Sequence, residues 1–451
     1  MPNTDSPQVL ITPLKPALIL GMAQKLPILI RVQTPDAPPS GKQVRKPYHL
    51  ALAIDRSGSM SGPPLREAVR CARHIVDRLD PADQASLVVF DDHVKILVGA
   101  QPVGDRKALH LALTRVHEGG STNLHGGWKA GADGLLPGAA GSALARVILL
   151  SDGNANVGEL TETEPIAALC GQAAAQGVTT STYGLGRNFN EDLMVAMAKN
   201  GQGNHYYGDT AADLFEPFAA EFDLISNLHS RNVKLALGTL DGVKMILLND
   251  YEVEEREGFP LIRLPDIPYG AEAWAIVELE IPAGLALDAG NQFLQVGVTA
   301  ASPEGAPIAF PEVSLTLKAL SPAAWDAVLP DPLVTGRLAE LAAAQLLMQA
   351  RQAADAGDWE AIDRMLVEAR QRYAQFPWVI EVLEGVEEIA RERDMARFSK
   401  ASLYSSRKMH SRLSAKDEMM ATSGESAKAS YLRRKKSQGK AQFDDPDQPQ
   451  P

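Results

Sequence analysis

Three short segments carry the residues best suited to chemistry. The first is Ile54-Asp55-Arg56-Ser57-Gly58-Ser59-Met60, which closes an apolar run and precedes an amphipathic stretch. It sets Asp-x-Ser-x-Ser at the C-terminal end of an expected parallel strand, the edge at which open α/β sheets bind ligands. Alone this match is weak, because Asp, Ser and Gly are also ordinary turn residues. The second segment is Gly119-Gly120-Ser121-Thr122-Asn123, just ahead of a helical pattern that begins near Leu124. The third is Val147-Ile148-Leu149-Leu150-Ser151-Asp152-Gly153, which ends another buried strand on an aspartate. Asp, Ser, Ser, Thr and Asp therefore fall, in order, on strand-end loops along one edge of one sheet.

With all three segments in place, residues 46–225 resemble the von Willebrand factor A (VWA) family, with the full motif of its metal-ion-dependent adhesion site. In that family the serine and threonine hydroxyls ligate a metal, and the aspartates bind it directly or through water. The resemblance carries these roles to Asp55, Ser57, Ser59, Thr122 and Asp152. The donor chemistry agrees. All five offer hard oxygens, which suit Mg2+ (or Mn2+ or Ca2+) and not Zn2+ or copper. Mg2+ takes six ligands in an octahedron and usually keeps waters. Neutral hydroxyls leave the cation under-neutralised, so it still attracts an external carboxylate. The resemblance thus implies a metal-dependent protein-interaction module, a scaffold or regulator whose partner presents an Asp or Glu. A second reading makes the chain the adaptor of an AAA+ ATPase remodelling machine, as VWA proteins of the chelatase and MoxR type are.

Enzymatic readings find less support. A strand-end aspartate resembles that of haloacid-dehalogenase-type phosphoryl transfer, but the second acid expected two residues on is Ser57 here. There is no Gly-x-x-x-x-Gly-Lys-Ser/Thr loop for nucleotide phosphates, and neither serine has a nearby base in the sequence. No catalytic residue and no organic cofactor is expected, and the chain is not read as an enzyme. Asp91 and Asp92 follow Phe90 at another strand end and suit either an outer shell of the metal site or a solvated turn. Asn154 and Asn156 suit turn chemistry in the loop after Asp152. His49, His125 and His205 are scattered and are expected at the surface or in the core. Trp359 is expected to pack between helices.

These residues need elements to hold them. Tyr48–Ile54, Ala85–Phe90, Arg146–Leu150 and Val178–Leu185 are near-continuously apolar, as strands buried on both sheet faces are. Between them lie helices. Leu65, Ala68, Val69, Ala72, Ile75, Val76 and Leu79 recur at helical spacing behind Pro63 and Pro64. Alternating strands and helices imply an α/β, doubly wound, mostly parallel sheet of Rossmann-like type. Residues 229–320 show strands with Gly, Pro and Asp turns and no helix, the pattern of an antiparallel β-sandwich. Residues 1–45 hold two orphan strands, Val9–Ile11 and Leu26–Val32, expected to join that sandwich. The VWA unit would then be inserted in a discontinuous β domain. Residues 325–398 suggest a helical hairpin, with Ala354–Ala361 like a tetratricopeptide turn, and 399–451 read as a disordered tail.

The order of the units also resembles bacterial VWA proteins of the calcium-activated chloride channel and inter-alpha-trypsin-inhibitor heavy-chain branch. Leu79-Asp80-Pro81-Ala82-Asp83 and Ser230-Arg231-Asn232-Val233-Lys234-Leu235 carry that likeness. The channel name does not transfer, because the longest apolar runs fall short of the roughly 18 residues a membrane span needs. The net charge of −12 argues against a generic nucleic-acid binder. Arg433-Arg434-Lys435-Lys436 is expected to be a solvated stretch of the tail. The two cysteines, Cys71 and Cys170, form no disulfide framework, and Met1–Gln8 lacks a basic and then apolar leader, so the expected compartment is the cytoplasm.

Overall fold

The computed structural model describes residues 6–37, 47–139, 144–185, 190–208, 214, 227–256, 259–285, 291–303, 305–411 and 413–415. The chain opens with β1 (Gln8–Pro13), β2 (Ala17–Ile19) and β3 (Gln24–Gln33). It then enters an α/β unit made of β4 (Tyr48–Asp55), α1 (Pro63–Arg78), β5 (Gln84–Phe90), β6 (Val94–Pro102), α2 (Lys107–Leu113), α3 (Leu124–Ala139), β7 (Leu144–Ser151), α4 (Thr163–Ala175), β8 (Val178–Leu185), α5 (Glu191–Asn200) and β9 (Gln202–Gly208). The six strands form one sheet in the order β6-β5-β4-β7-β8-β9, parallel except for the β5–β6 hairpin at one edge. From β4 the chain steps to β5 on one side and then to β7 on the other. The switch point, where such sheets open a crevice at the carboxyl ends of the strands, therefore lies beside β4.

The periodicity of α1 holds. Leu65, Ala68, Cys71, Ala72, Ile75 and Val76 are buried against the sheet, with prolines in the first turn and Arg78 in the last. β6 and β9 escape a hydrophobic reading because both are edge strands. Lys95, Gly99 and Gln101 interrupt β6, most of which is exposed, while β9 is polar and half-buried.

Beyond the α/β unit come β10 (Leu228–Thr239), β11 (Lys244–Leu247), β12 (Val253–Arg256), β13 (Phe259–Arg263), β14 (Ile267–Pro268), β15 (Ala271–Ile281), β16 (Gln292–Ala301), β17 (Pro307–Ala309), β18 (Val313–Thr316) and β19 (Lys318–Leu320). All but β19 build two antiparallel sheets, one in the order β1-β3-β15-β11 and one in the order β12-β13-β10-β16-β17, while β19 pairs in parallel with β2. The N-terminal strands lie inside the first: β3 pairs with β15 along its whole length, from Gln33↔Glu272 to Gln24↔Ile281. Ile28, Ile30 and Val32 face the second sheet across the sandwich core, together with Val233, Leu235, Val277 and Val296. Leu29, Trp274 and Ile276 point the other way, under a helix. That double burial explains why β3 and β15 are apolar on both faces.

The covering helix is the second of five, α6 (Pro322–Asp326), α7 (Pro332–Asp355), α8 (Trp359–Arg372), α9 (Pro377–Arg391) and α10 (Met395–Ser411). The last four pack as a bundle instead of a single hairpin. Gly357, with φ +73°, ends α7, and the Asp358 carboxylate caps α8 by accepting from Ala361 N at 2.9 Å. Trp359 meets Phe398 edge-on at 5.7 Å, as a packing residue. A boundary at residue 398 is too early. α10 continues to Ser411 because Phe398, Leu403 and Met409 are buried and the small Ser402 and Ser406 fit the interface, a signal that serine-rich composition hides. A last short strand, β20 (Ser414–Ala415), then returns to pair with β15. The basic and acidic tail segments after residue 415 lie outside the described residues. No helix among the described residues is long and apolar enough to cross a membrane.

Candidate metal centre

Asp55 is the last residue of β4 and is fully buried. Its Oδ1 accepts from Ser57 N at 2.9 Å and its Oδ2 accepts from Ser151 Oγ at 2.6 Å. Burial lifts this carboxyl to about 6, the Asp152 charge adds to the rise, and the bonds from Ser151 and Ser57 oppose it. The Ser57 and Ser59 hydroxyls stand 3.2 Å apart, Ser57 buried and Ser59 exposed on a single 3-10 turn, Gly58–Met60. The other two loops are tied to this one through the backbone. Gly58 N donates to Gly120 O at 2.7 Å, and Gly119 N to Arg56 O at 2.7 Å. Thr122, buried, donates its N–H to the Asn156 side chain at 2.7 Å, while Asn156 N returns to Thr122 O at 3.1 Å. Asp152, also buried, accepts from Asn154 N at 3.1 Å. The five residues singled out in the sequence thus occupy three interlocked loops at the switch point.

The bracing residues are those that sequence reasoning undervalued. Ser151 receives Gly153 N at 2.8 Å while donating to Asp55. Its only signal was a polar residue at the end of an apolar strand. Asn156 is a cross-loop clamp as well as a turn former. Of the two acids after β5, Asp91 is buried, pairs with Arg56 at 2.7 Å and accepts from His93 N at 2.7 Å. Asp92 is half-exposed beside His93, as in a solvated turn. Asp91, Asp92 and His93 bring their ligand atoms within 4.8 Å of one another, but Asp91 is already committed to Arg56. Gly119 must be glycine, since a Cβ there would sit 1.8 Å from Asp91 Oδ2. His49, His125 and His205 take no part in these contacts. His205 is half-buried and bonded to Thr182 at 2.9 Å, and desolvation holds its imidazole down at about 3.

The donor set fits a hard divalent cation. Two carboxyl-bearing and three hydroxyl-bearing residues sit on adjoining strand-end loops, and the Asp152 charge adds to the cost of ionising the buried Asp55, which a bound cation would offset. When bound, such an ion supplies an electrophilic point that can take an oxygen ligand from outside.

This sheet order and strand-end loop set define the class. Residues 49–220 match the von Willebrand factor type A domain, and the chain therefore carries a VWA domain, a module that commonly binds divalent metal ions and mediates protein–protein interaction. Among relatives, the protein sll0103 of Synechocystis sp. is 30% identical over 193 residues, covering 43% of this chain and 45% of its own. Human inter-alpha-trypsin inhibitor heavy chain H3 is 28% identical over 186 residues, 37% of this chain and 20% of that one. The chain thus spans less than half the length of these curated relatives. A solved von Willebrand factor type A protein from Catenulispora acidiphila shares the fold over 86% of this chain and 91% of its own, with a TM-score of 0.66 at 16% identity.

Proposed function

We propose that the strand-end crevice holds Mg2+ through Asp55, Ser57, Ser59, Thr122 and Asp152, and that the ion captures an Asp or Glu carboxylate of a protein partner. The observation that carries this reading is the interlocking of three oxygen-bearing loops around the buried Asp55 carboxyl. Ser57 Oγ is partnered with Ser59 Oγ and not with an imidazole or amine, which favours ligation over nucleophilic catalysis. On this reading the protein works by binding, as a cytoplasmic scaffold or regulator. Specific interfaces bury on the order of 1,200–2,000 Å², so the loops at Met60–Pro64, Gly119–His125 and Asn154–Gly158 surround the ion as the contact area.

The test is calorimetry with Mg2+ and Mn2+ on the full chain, followed by capture of a partner with and without EDTA. Wild type binds one ion and Asp152→Ala binds it more weakly. Partner binding is lost in EDTA, returns with Mg2+, and falls in Ser59→Ala and Thr122→Ala. Combining either change with loss of the partner's carboxylate costs little more than one alone, because both act through one contact. A partner indifferent to EDTA and to all of these substitutions sinks the mechanism.

A further inference from the structure

A second cleft lies where the VWA domain meets the helical bundle. It has a volume of about 260 Å³ between the start of α5 and the facing ends of α7 and α10, and it is open to solvent. Glu191, the first residue of α5, lines it and is 5% exposed, yet its Oε1 has no hydrogen-bond partner. An orphaned buried carboxyl oxygen is costly and rare, because it loses water without gaining a replacement. Burial pushes this carboxyl up to about 8, even with Arg351, Lys400 and Arg407 near enough to pull it down and Asp192 pushing the same way.

The remaining lining residues decide what fits. Arg351 is committed: its Nε donates to Ser399 at 2.8 Å and its guanidinium pairs with Asp192 at 3.3 Å. Lys400 is 5% exposed, and its Nζ sits 5.8 Å over the Tyr207 ring. What stays uncommitted is acidic, Glu191 inside and the exposed Asp355 at the end of α7. An anionic ligand would therefore meet cations already in use. A metal ion would need converging carboxylates, and among the described residues only Asp91, Asp92 and His93 come within 4.8 Å of one another. A single charged donor on a short stem suits one recessed carboxyl with a second at the rim.

We propose that this cleft is a binding site for a small organic cation bearing a primary ammonium or guanidinium group, received by Glu191 and steered by Asp355. The site adjoins the strand-end crevice, since Asn190, which lines the cleft, donates its N–H to Asp152 O at 2.7 Å, but its own acceptor is Glu191. Calorimetry on the full chain in EDTA at a pH above 8, where the Glu191 carboxyl is ionised, with agmatine and putrescine as free amines and N-acetyl-arginine amide standing for a protein side chain, tests it. The stronger of these binders identifies the source of the cation. We expect saturable one-to-one binding that weakens about tenfold or more in Glu191→Gln, the consequence of losing a charge-assisted hydrogen bond. Asp355→Asn weakens it less, and Asp92→Asn, on the metal face, leaves it unchanged. Propionate does not bind. Glu191→Gln preserves shape, and a retained melting temperature shows that it folds. No saturable binding by any of the three cations, or equal binding by wild type and Glu191→Gln, overturns the proposal and leaves a water-filled gap between domains.

Discussion

At the residue scale, the strand-end crevice is held by hydrogen bonds that a motif does not show. Ser151→Ala would strip a donor from the buried Asp55 Oδ2 and an acceptor from Gly153 N. We expect a loss of about 1–3 kcal/mol in stability, the cost of a buried polar group left unpaired, read by urea denaturation in EDTA. An unchanged midpoint would show that Asp55 finds another partner. The pH behaviour of Glu191 is equally specific. Its folded value, about 8, lies above the ordinary 4.5, so between these values the folded state holds more protons than the unfolded one. Its contribution to stability therefore falls as pH rises through that window. Glu191→Gln should match wild type near pH 5 and gain melting temperature relative to it above pH 8. A difference that ignores pH would show that the carboxyl ionises without cost. Asp55, Ser57, Ser59, Thr122 and Asp152 were legible because their types and order are local. Ser151, Asn156 and Asp91 were not, since their bonds cross loops: Ser151 reaches a partner 96 residues away.

At the scale of elements, the strand-end loops are positioned by close backbone approach. Gly119 leaves no room for a side chain against Asp91, whose carboxylate holds Arg56. In Gly119→Ala, Asp91 must move, the Arg56 pair breaks, and the Ser57 and Thr122 loops separate. The expected loss is about 1–3 kcal/mol, typical of forcing an extra carbon into a packed site, together with weaker Mg2+ binding by calorimetry. Wild-type ion affinity in that variant would mean the loops do not depend on the Asp91 brace. The strands around the site were readable because β4, β5 and β7 are buried on both faces and so are mostly apolar, while β8 is marked by the β-branched Val178, Thr179, Thr180 and Thr182. β6 and β9 were not, because an edge strand has one solvated side and polar residues suit it.

At the scale of the whole molecule, a buried charge cluster fixes the helical bundle to the sandwich. Arg337 on α7 is 2% exposed, lies over Trp274 at 4.7 Å, and pairs with Glu340 at 2.9 Å and with Glu272 at 3.5 Å, which Arg31 also approaches at 3.6 Å. Removing one member of such a set leaves an uncompensated buried charge, and Arg337→Ala should cost about 3–5 kcal/mol. Thermal denaturation checks this, and a loss under 1 kcal/mol would place the cluster in effective contact with water. Deleting residues 1–45 should likewise bare the long edge of β15 and drive aggregation, visible by light scattering. A truncated chain as monomeric and stable as wild type would refute that. The extent of the bundle was the least legible feature. Its final helix is written in Ser, Lys and Arg, and its buried face runs from Phe398 through Ser402 and Ser406 to Met409, so serines hide half of the pattern.

The insertion of one domain into another also sets a timetable. Gln33 and Glu272, bonded partners across β3 and β15, are 239 residues apart in the chain. At roughly 5–20 residues per second of synthesis, β3 leaves the ribosome many seconds before its neighbour exists. Throughout that interval a strand apolar on both faces has only β1 beside it and one edge bare, while the VWA unit behind it has all six of its strands and can close by itself. The order of birth is thus the reverse of the order of completion. β3 emerges before the VWA unit and is completed after it, and a chaperone that shelters exposed strands would meet this protein at Gln24–Gln33.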